Sequence, residues 1–410
     1  MSKKTQIIPL VFLGARIKRS LRYHLKKIGF TRTPTGLIQP PNDSKETIRS
    51  LHNAQRNALL KREKDFVRRS WPKLKDYFAN GTDIVPDKID PDLELIEGGT
   101  WQSDLFRLAS RIWSVPVSQG YGRRLRFLVW DRSNRKLLGL VGLGDPVFNL
   151  KVRDDLIGWT VQQRKNRLVN LMDAYVLGAV PPYNLLLCGK MIACLIRTRE
   201  VRDYFGQKYG RTKGIISGKC KHARLVAITT SSALGRSSLY NRLTPNGEKY
   251  FTSIGYTAGW GHFHVPESLF KAIREYLELK GHRYSGNNRF GEGPNWRLRA
   301  IRHTLDSLNL NPNLLRHGIA REVFLSELAS NGRRYLTGKV KRLQYRGLLS
   351  VAEVAKYSIV RWIVPRSLKK SEYLNWTREN VLYLLATNGN HNIISATTKR
   401  KELEIGSCKL

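Results

Sequence analysis

Residues 124–144 read RLRFLVWD-RSNR-KLLGLVGLG, two apolar runs on either side of a short polar turn. Such a pair of runs predicts a β-hairpin. Downstream, ARLVAITT at 223–230 predicts a buried strand, and the glycine-rich YFTSIGYTAGWGHFHV at 250–265 predicts a strand with bulges. Helical patterns separate these runs. The hairpin therefore belongs to an α/β (α+β) fold, with a mixed central sheet flanked by helices.

The helical patterns share apolar residues at intervals of three and four. They predict helices over 164–180, 185–210, 266–281, 295–310, 313–332 and 350–364. Near the N-terminus, Leu21, Leu25 and Ile28 fall on one helical face, Gly29 ends that helix, and Ser44 is placed to cap the next.

Composition along the chain predicts four consecutive regions. Residues 1–82 form a basic helical N-terminal region and 83–104 an acidic, proline-containing linker. Residues 105–281 form the central α/β domain, and 282–410 a helical, basic C-terminal region.

The charge of the chain points to a polyanionic partner. Lys and Arg number 72 against 32 Asp and Glu, a formal net charge of +40. Self-repulsion on this scale opposes a compact state unless a polyanion relieves it, and nucleic acid is the obvious polyanion. There is no apolar run near membrane-spanning length and no signal peptide, so we expect a cytoplasmic protein without membrane contact. In the first helix, the face opposite the apolar one carries Arg16, Lys18, Arg19, Arg22, Lys26 and Lys27. Charge of one sign favours a face for nucleic acid, and the alternative is a solvated helix face.

The stretch TTSSALGRSSLYNRL at 229–243 concentrates hydroxyl groups after a predicted strand. Backbone N–H groups, hydroxyls and arginines in such a loop suit a phosphate backbone. It has neither the Walker A nor the nucleophile-elbow spacing. A loop that merely caps the next helix remains the alternative. The candidate contacts here are Thr230, Ser231, Arg236, Ser237, Ser238, Tyr240, Asn241 and Arg242.

Arginines interleaved with aromatic residues supply further candidate nucleic-acid contacts, because bases stack on aromatic rings while guanidinium groups grip phosphates. The alternative is a solvated arginine-rich face. These candidates are Arg153, Arg164, Arg167, Lys190, Trp260, Asn295, Arg297, Arg299, Arg316 and Arg321.

Two groups are catalytic candidates. Asp145, Asp154 and Asp155 lie close in sequence and suit Mg²⁺-dependent phosphodiester hydrolysis, although an Asp in RDD also pairs with arginine or caps a helix. His262 and His264 would point to one side of a strand, as acid–base groups or as structural histidines. No nuclease signature accompanies them and no third zinc ligand is evident. We therefore expect no cofactor unless the nuclease alternative holds.

Several motifs in order resemble the DruA family of the Druantia anti-phage defence system. They include YGRRLRFLVWD at 121–131, RDDLIGW at 153–159, ITTSSALGRSSLYNRL at 228–243 and LLRHGIAREVF at 314–324, and the likeness runs from about Pro86 to Gly338. The resemblance implies a bacterial antiviral protein that acts with other Druantia proteins, including a large helicase-like subunit. Related domains beside transposases also point to DNA. It supplies no catalytic residues.

The order of elements is also loosely similar to that of acyl-CoA N-acetyltransferases, but their glycine-rich pyrophosphate loop is not recognisable, so acetyl transfer is not expected. Three hypotheses remain open. The first is a non-enzymatic nucleic-acid-binding subunit that serves a helicase-like partner. The second is a Mg²⁺-dependent nuclease, and the third a scaffold for an acidic protein. An oligomer is compatible with each.

Overall fold

The structure, a computed structural model, describes residues 3–117, 122–213, 218, 220–286 and 296–386. The chain forms two compact units. Unit 1 comprises Met1–Ala58, Ser232–Arg236 and Tyr256–Glu322, and unit 2 comprises Leu59–Ser231, Ser237–Gly255 and Val323–Leu410. The units interleave along the chain, so neither coincides with one of the four regions that composition predicts. Composition reports local character, whereas the units arise from long-range contacts.

The helices, in chain order, are α1 Lys3–Lys27, α2 Lys45–Leu74, α3 Trp101–Ala109, α4 Lys151–Ile157, α5 Val161–Arg167, α6 Cys188–Leu195, α7 Arg199–Tyr209, α8 Glu267–Leu279, α9 Trp296–Ser307, α10 Gly332–Leu336, α11 Val351–Ser358, α12 Val364–Lys369 and α13 Asn380–Leu385. A π-helical turn, Ile359–Ile363, joins α11 to α12. The strands are β1 Thr31–Arg32, β2 Ile38–Gln39, β3 Pro91–Leu95, β4 Arg124–Asp131, β5 Lys136–Gly144, β6 Leu171–Ala179, β7 Thr212–Lys213, β8 Cys220–Lys221, β9 Ala227–Ser231, β10 Thr252–Tyr256 and β11 Glu322–Glu327.

The centre of unit 2 is a seven-stranded sheet in the order β10-β11-β9-β6-β5-β4-β3. The pairs β3–β4, β4–β5, β5–β6 and β9–β11 are antiparallel, and β6–β9 is parallel. Apolar side chains from both faces of this sheet pack against helices in separate clusters of the core. The mixed α/β fold and the β4–β5 hairpin predicted from the sequence are confirmed.

Two predicted helices are wrong over most of their length. In the 164–180 segment, the α-helix ends at Arg167, a 3-10 turn follows at Leu168–Asn170, and Leu171–Ala179 forms β6. In the 313–332 segment, residues 322–327 form β11, whose first five residues are buried. Both are inner strands of the sheet. An inner strand is covered on both faces and loses the apolar–polar alternation that identifies a strand, so its apolar residues also satisfy a helical spacing.

The segment predicted as an acidic linker contributes an edge strand. Leu93 of β3 is buried and pairs with Val129 of β4. Leu93 and Leu95 alternate with Asp92 and Glu94, which is the half-buried pattern of an edge strand. Asp92 and Glu94 lie on the face of the strand that is turned away from the core cluster that contains Leu93.

Unit 1 packs α1, α8, α9 and the first part of α2 around an apolar core that includes Ile17 and Leu21 of α1 and Ile273 of α8. Gly29 follows α1 with a φ of 82°, and Ser44 Oγ accepts a hydrogen bond of 3.1 Å from the Thr47 amide at the start of α2. Both predicted helix boundaries are therefore confirmed.

The strand predicted over 250–265 ends at Tyr256, so the placement of His262 and His264 on a strand is wrong. Gly259 has a φ of 69°, and a Cβ there would lie 3.1 Å from the Ile319 amide nitrogen. The chain turns at this close approach, and both histidines follow it in irregular structure.

Candidate nucleic-acid interface

A groove in unit 1 runs along the C-terminal half of α1. Lys18, Arg22 and Lys26 succeed one another at intervals of four residues and line one wall, and Arg32 of β1 lines it as well. The groove has a volume of about 310 Å³, and its apolar surface is formed by Leu21, Leu25, Phe30, Ile38, Leu310 and Leu314. We call this feature the α1 groove.

Local sequence explains why the cations stand at the rim. Ile17, Leu21 and Leu25 face the core at an i, i+4 spacing, and the cations one position later form the neighbouring stripe of the helix. After α1, the Phe30 amide donates 2.9 Å to the Leu25 carbonyl, and the chain then enters the β1–β2 hairpin. This turn brings Arg32 to the groove although it lies outside the helix.

The α1 groove carries uncompensated positive charge. None of its four cations has a carboxylate within 4 Å among the residues that the structure describes, and no acidic side chain lines the groove. On the same helix, by contrast, Arg16 lies 3.6 Å from Glu275. The four like charges lower the local energy of a bound anion, and phosphate oxygens suit both lysine and arginine.

A second basic feature borders the groove at Ile38, which lines both the α1 groove and a neighbouring cavity of about 440 Å³ that Arg316 also lines. Residue Arg316 forms an isolated antiparallel bridge with Trp260. The Trp260 side chain is 45% exposed, and the Arg302 guanidinium lies 5.8 Å from its ring centroid. We call Trp260, Arg302 and Arg316 the Trp260 platform. An exposed ring beside a guanidinium group is suited to stacking with a base.

Neutral histidines underlie the platform. Phe263 stacks on His52 at 4.3 Å and meets His317 edge-on at 4.8 Å. His264 Nε2 lies 2.7 Å from the Leu314 carbonyl oxygen, and His317 Nδ1 accepts from the Ile319 amide at 3.2 Å. These bonds hold the segment that carries Arg316.

Burial is the first cause that lowers the pKa of each of these rings. It lowers the pKa of His52 and of His264 to about 4, against the opposing effect of the hydrogen bonds that these rings donate to Gln55 Oε1 and to the Leu314 carbonyl oxygen. It lowers the pKa of His317 to about 3 and, together with Arg297, that of His262 to about 4. At neutral pH the rings are uncharged. Within the described ranges, no group of three or more His, Cys, Asp or Glu residues is arranged to hold a metal ion.

The predicted aspartate site consists of ion pairs in unit 2. Asp145 receives the Arg123 guanidinium at 2.7 Å, and the exposed Asp155 pairs with Lys151 at 2.8 Å. Asp154 binds the fully buried Arg153 at 2.7 Å and Arg164 at 2.8 Å. These contacts give Arg153 and Arg164 structural partners.

Sequence reasoning missed another carboxylate, Asp173 of β6. Thr229 of β9 donates a hydrogen bond of 2.7 Å to it across the parallel pair. Burial raises the pKa of Asp173 to about 6, and the Thr229 hydrogen bond and Arg153 oppose that rise. The available signal was one aspartate inside the otherwise apolar run LMDAYVLG at 171–178.

Much of the hydroxyl-rich stretch is interior. Thr230 is buried and donates 3.0 Å to the Ala174 carbonyl oxygen. The Tyr240 ring packs 4.9 Å from Phe251 and 5.0 Å from Phe324. Burial raises the pKa of the Tyr240 hydroxyl to about 12, against its hydrogen bond with Thr230. The side chains of Thr230 and Tyr240, two of the predicted contacts, are thus engaged with other residues of the protein.

The remainder of the stretch is a turn with exposed side chains. Ser237 Oγ accepts from the Leu239 amide at 3.2 Å, and Asn241 Nδ2 donates 2.9 Å to the Ser237 carbonyl oxygen. These hydrogen bonds lie within the turn itself, and no described side chain caps the 3-10 turn Tyr240–Arg242 that follows. The exposed residues are Ser231, Arg236, Ser238, Asn241 and Arg242.

Lys190 and Arg242 belong to a small basic cluster of unit 2. Burial lowers the pKa of Lys190, and Arg242 and Arg361 lower it further by repulsion. The Lys190 ammonium lies 5.3 Å from the Trp362 ring centroid, and both Arg361 and Trp362 lie in the π-helical turn.

The other predicted contacts divide between structural and surface positions. Arg167 donates 2.7 Å to the Tyr335 carbonyl oxygen, and Arg321 lies 3.1 Å from His52 Nε2. Arg297 pairs with Glu267 at 2.5 Å, and the Arg299 guanidinium lies 5.7 Å from the Tyr284 ring centroid. Asn295 lies outside the described residues. Of the predicted set, Trp260 and Arg316 are brought together in unit 1, and Lys190 and Arg242 in unit 2.

Comparisons with known proteins agree on one family. A family model described as Druantia protein DruA matches residues 42–338. A curated relative from Escherichia coli (strain UMEA 4076-1), described as Druantia protein DruA, is 52% identical over 390 residues, which are 95% of this chain and 96% of the relative. No solved structure matches the chain, so the likeness of element order to acetyltransferases stays a prediction. In the described part of the chain, no helix has the length and apolarity to cross a membrane.

Proposed function

The chain belongs to the DruA family and is a component of a Druantia anti-phage defence system, and from this premise we propose that it is the nucleic-acid-binding subunit of that system, with DNA as its ligand. In this role it acts on invading DNA together with other Druantia proteins, including a helicase-like subunit. The binding subunit itself needs no catalytic group.

The α1 groove is the observation that carries this proposal. Four cations line it without a carboxylate in ion-pair distance among the described residues. The spacing of Lys18, Arg22 and Lys26 along the helix gives successive cationic contacts for a strand. The Trp260 platform, which borders the groove at Ile38, offers a ring to an unpaired base. Together they combine backbone contacts with stacking, as single-stranded segments require.

The two other hypotheses have less support. For a nuclease, Asp145, Asp154 and Asp155 each have a cationic partner, and no metal-holding group occurs within the described ranges. For a scaffold that binds an acidic protein, no feature distinguishes a protein carboxylate from a phosphate. Co-purification with a partner after nuclease digestion and a high-salt wash, without affinity for DNA, would favour the scaffold.

The test is a DNA titration of the full chain at several salt concentrations, read by fluorescence anisotropy. The triple variant Arg22→Gln, Lys26→Gln and Arg32→Gln removes three phosphate contacts. We expect the slope of log affinity against log salt to fall by about 2 to 3, because each contact contributes about 0.7 to 0.9.

A matched control removes the same charge elsewhere, with Lys165→Gln, Lys249→Gln and Lys271→Gln at exposed positions. This control should keep most of the salt slope. Absence of binding by the unaltered protein at about 50 mM salt would overturn the proposed function. Equal losses in the two triple variants would mean that net charge, rather than the groove, attracts DNA.

A further inference from the structure

A second concave site lies in unit 2, between α3 and one face of the central sheet. Its volume is about 220 Å³. Arg107 of α3, Arg111 just after α3, and Arg124 and Arg126 of β4 line it, and the one carboxylate in this lining is that of Glu63 in α2. We call it the arginine pocket. The lining of the pocket is therefore rich in guanidinium groups and holds a single carboxylate.

Glu63 accepts a hydrogen bond from Arg107 but none from the Arg111 Nε–H group. Its buried Oε2 accepts from Arg107 Nε at 2.8 Å, whereas Arg111 Nε is 3.8 Å away, beyond hydrogen-bond distance. Arg111 has 8% of its side chain exposed, and its Nε has no hydrogen-bond partner in the described structure. A buried guanidinium N–H without an acceptor is costly, and an anion in the pocket would supply that acceptor.

Arg126 also offers positive charge to the pocket. Its guanidinium lies 5.7 Å from the Phe106 ring centroid, and no carboxylate is within ion-pair distance of it among the residues described. Arg124 and Arg126 are two positions apart on β4, so both extend from the same face of the sheet.

The backbone of the sheet shapes the other wall. Gly142 of β5 pairs with Val176 of β6 and Leu143 with Ala174, so Tyr175 is the extra residue of a β-bulge. A Cβ on Gly142 would lie 3.0 Å from the Tyr175 ring and 3.2 Å from Phe106. The bulge and the missing side chain together let Tyr175 and Val176 line the pocket. Bulges are enriched beside ligand sites because they re-aim a side chain in this way.

We propose that the arginine pocket binds a small molecule through a compact, multiply charged phosphate group such as a diphosphate. Arg111 and Arg126 bind the phosphate oxygens, Tyr175 donates a hydrogen bond, and Phe106 and Val176 contact the less polar remainder. Guanidinium groups match phosphate geometry by paired N–H donors. The pocket is concave and Arg111 is almost fully buried, which favours a small ligand over a continuous polynucleotide.

Isothermal titration calorimetry of the full chain with inorganic pyrophosphate tests this site. We expect saturable binding at low salt, weakened about tenfold or more by Arg126→Gln and severalfold by Tyr175→Phe. Arg132→Gln is the matched control because Arg132 pairs with Asp90 at 2.8 Å outside the pocket, and it should bind as the unaltered protein does. Pyrophosphate should also raise the unfolding temperature of the unaltered protein by more than that of Arg126→Gln at the same concentration.

The α1-groove triple variant separates this inference from the proposed function, because it should lose DNA affinity and keep pyrophosphate binding. A titration without saturable heat, or equal affinity of Arg126→Gln and the unaltered protein, would refute the arginine pocket. Displacement of pyrophosphate by a short DNA strand in the triple variant would refute the small-molecule assignment, since the pocket would then hold a nucleic-acid phosphate.

Discussion

The Arg321 guanidinium lies 3.1 Å from Nε2 of His52, so this ring nitrogen accepts a hydrogen bond and the imidazole is neutral. A guanidinium has only donors, and a protonated His52 would place two cations in contact. Burial lowers the pKa of His52 and also the pKa values of His264 and His317. Unit 1 therefore contains several histidines that stay uncharged at neutral pH.

We predict that acid destabilises unit 1. An unfolded histidine binds a proton below about pH 6.5, whereas folded His52 and His264 bind one only below about 4. The free energy of unfolding therefore has its full value above about pH 6.5. It falls as pH decreases toward 4, by about 1.4 kcal/mol per pH unit for each such histidine. Hydrogen exchange of α9 peptides at pH 7, 6 and 5 measures this loss.

The variant His52→Gln isolates one histidine, because glutamine keeps an acceptor and does not titrate. The free energy of unfolding should then fall less steeply with decreasing pH, because the contribution of His52 is removed. His222→Gln, at an exposed position of unit 2, should leave the dependence unchanged. Identical pH profiles for His52→Gln and the unaltered protein would contradict the argument.

A second prediction concerns the aspartates of the nuclease hypothesis. Asp154→Asn removes the charge that pairs the fully buried Arg153 and also Arg164. An unpaired buried guanidinium should lower the free energy of unfolding by about 3 to 5 kcal/mol. Asp155→Asn, which affects only an exposed pair with Lys151, should leave the denaturation midpoint nearly unchanged. Chemical denaturation compares the two variants, and a similar, small effect of both would contradict the structural role.

The central hairpin and the cationic face of α1 were predictable because each depends on local spacing. Two apolar runs around RSNR define β4 and β5, and cations one position after Ile17, Leu21 and Leu25 define the rim of the groove. The arrival of Arg32 at that rim was not predictable, since it depends on the turn after Gly29.

The hydroxyl-rich stretch shows why other site residues could not be predicted. A threonine hydroxyl serves a strand or a ligand equally well, and only the tertiary structure shows that Thr230 donates to the Ala174 carbonyl oxygen. In the same way, an arginine in RDD is compatible with phosphate until the burial of Arg153 is known. Net charge indicates the class of partner, but it does not distinguish surface guanidinium groups from interior ones.

A third prediction tests the Trp260 platform. Stacking of a base on an aromatic ring contributes about 1 to 3 kcal/mol, so Trp260→Ala should weaken single-stranded DNA binding by about tenfold. The Tyr383→Ala variant removes a ring of α13 that is 62% exposed and should leave affinity unchanged. Anisotropy with single-stranded and duplex probes of equal length measures both. A Trp260→Ala variant that binds single strands as tightly as the unaltered protein would exclude stacking at this ring.

The last prediction concerns Asp173, whose pKa in the folded chain is raised to about 6. Above that pH the carboxylate is ionised in both states, and its burial then opposes folding. Asp173→Asn retains an oxygen for the Thr229 hydroxyl and removes the charge, so the variant should be more stable than the unaltered protein at pH 8. As pH falls from about 6 toward the unfolded value near 4, the folded carboxyl binds its proton first and the advantage should disappear. Urea denaturation of both proteins at pH 8 and pH 5 measures the difference. If the variant is the less stable protein at pH 8, attraction between Asp173 and Arg153 outweighs the cost of burying the charge, and Asp173 is then the second anionic partner of that arginine.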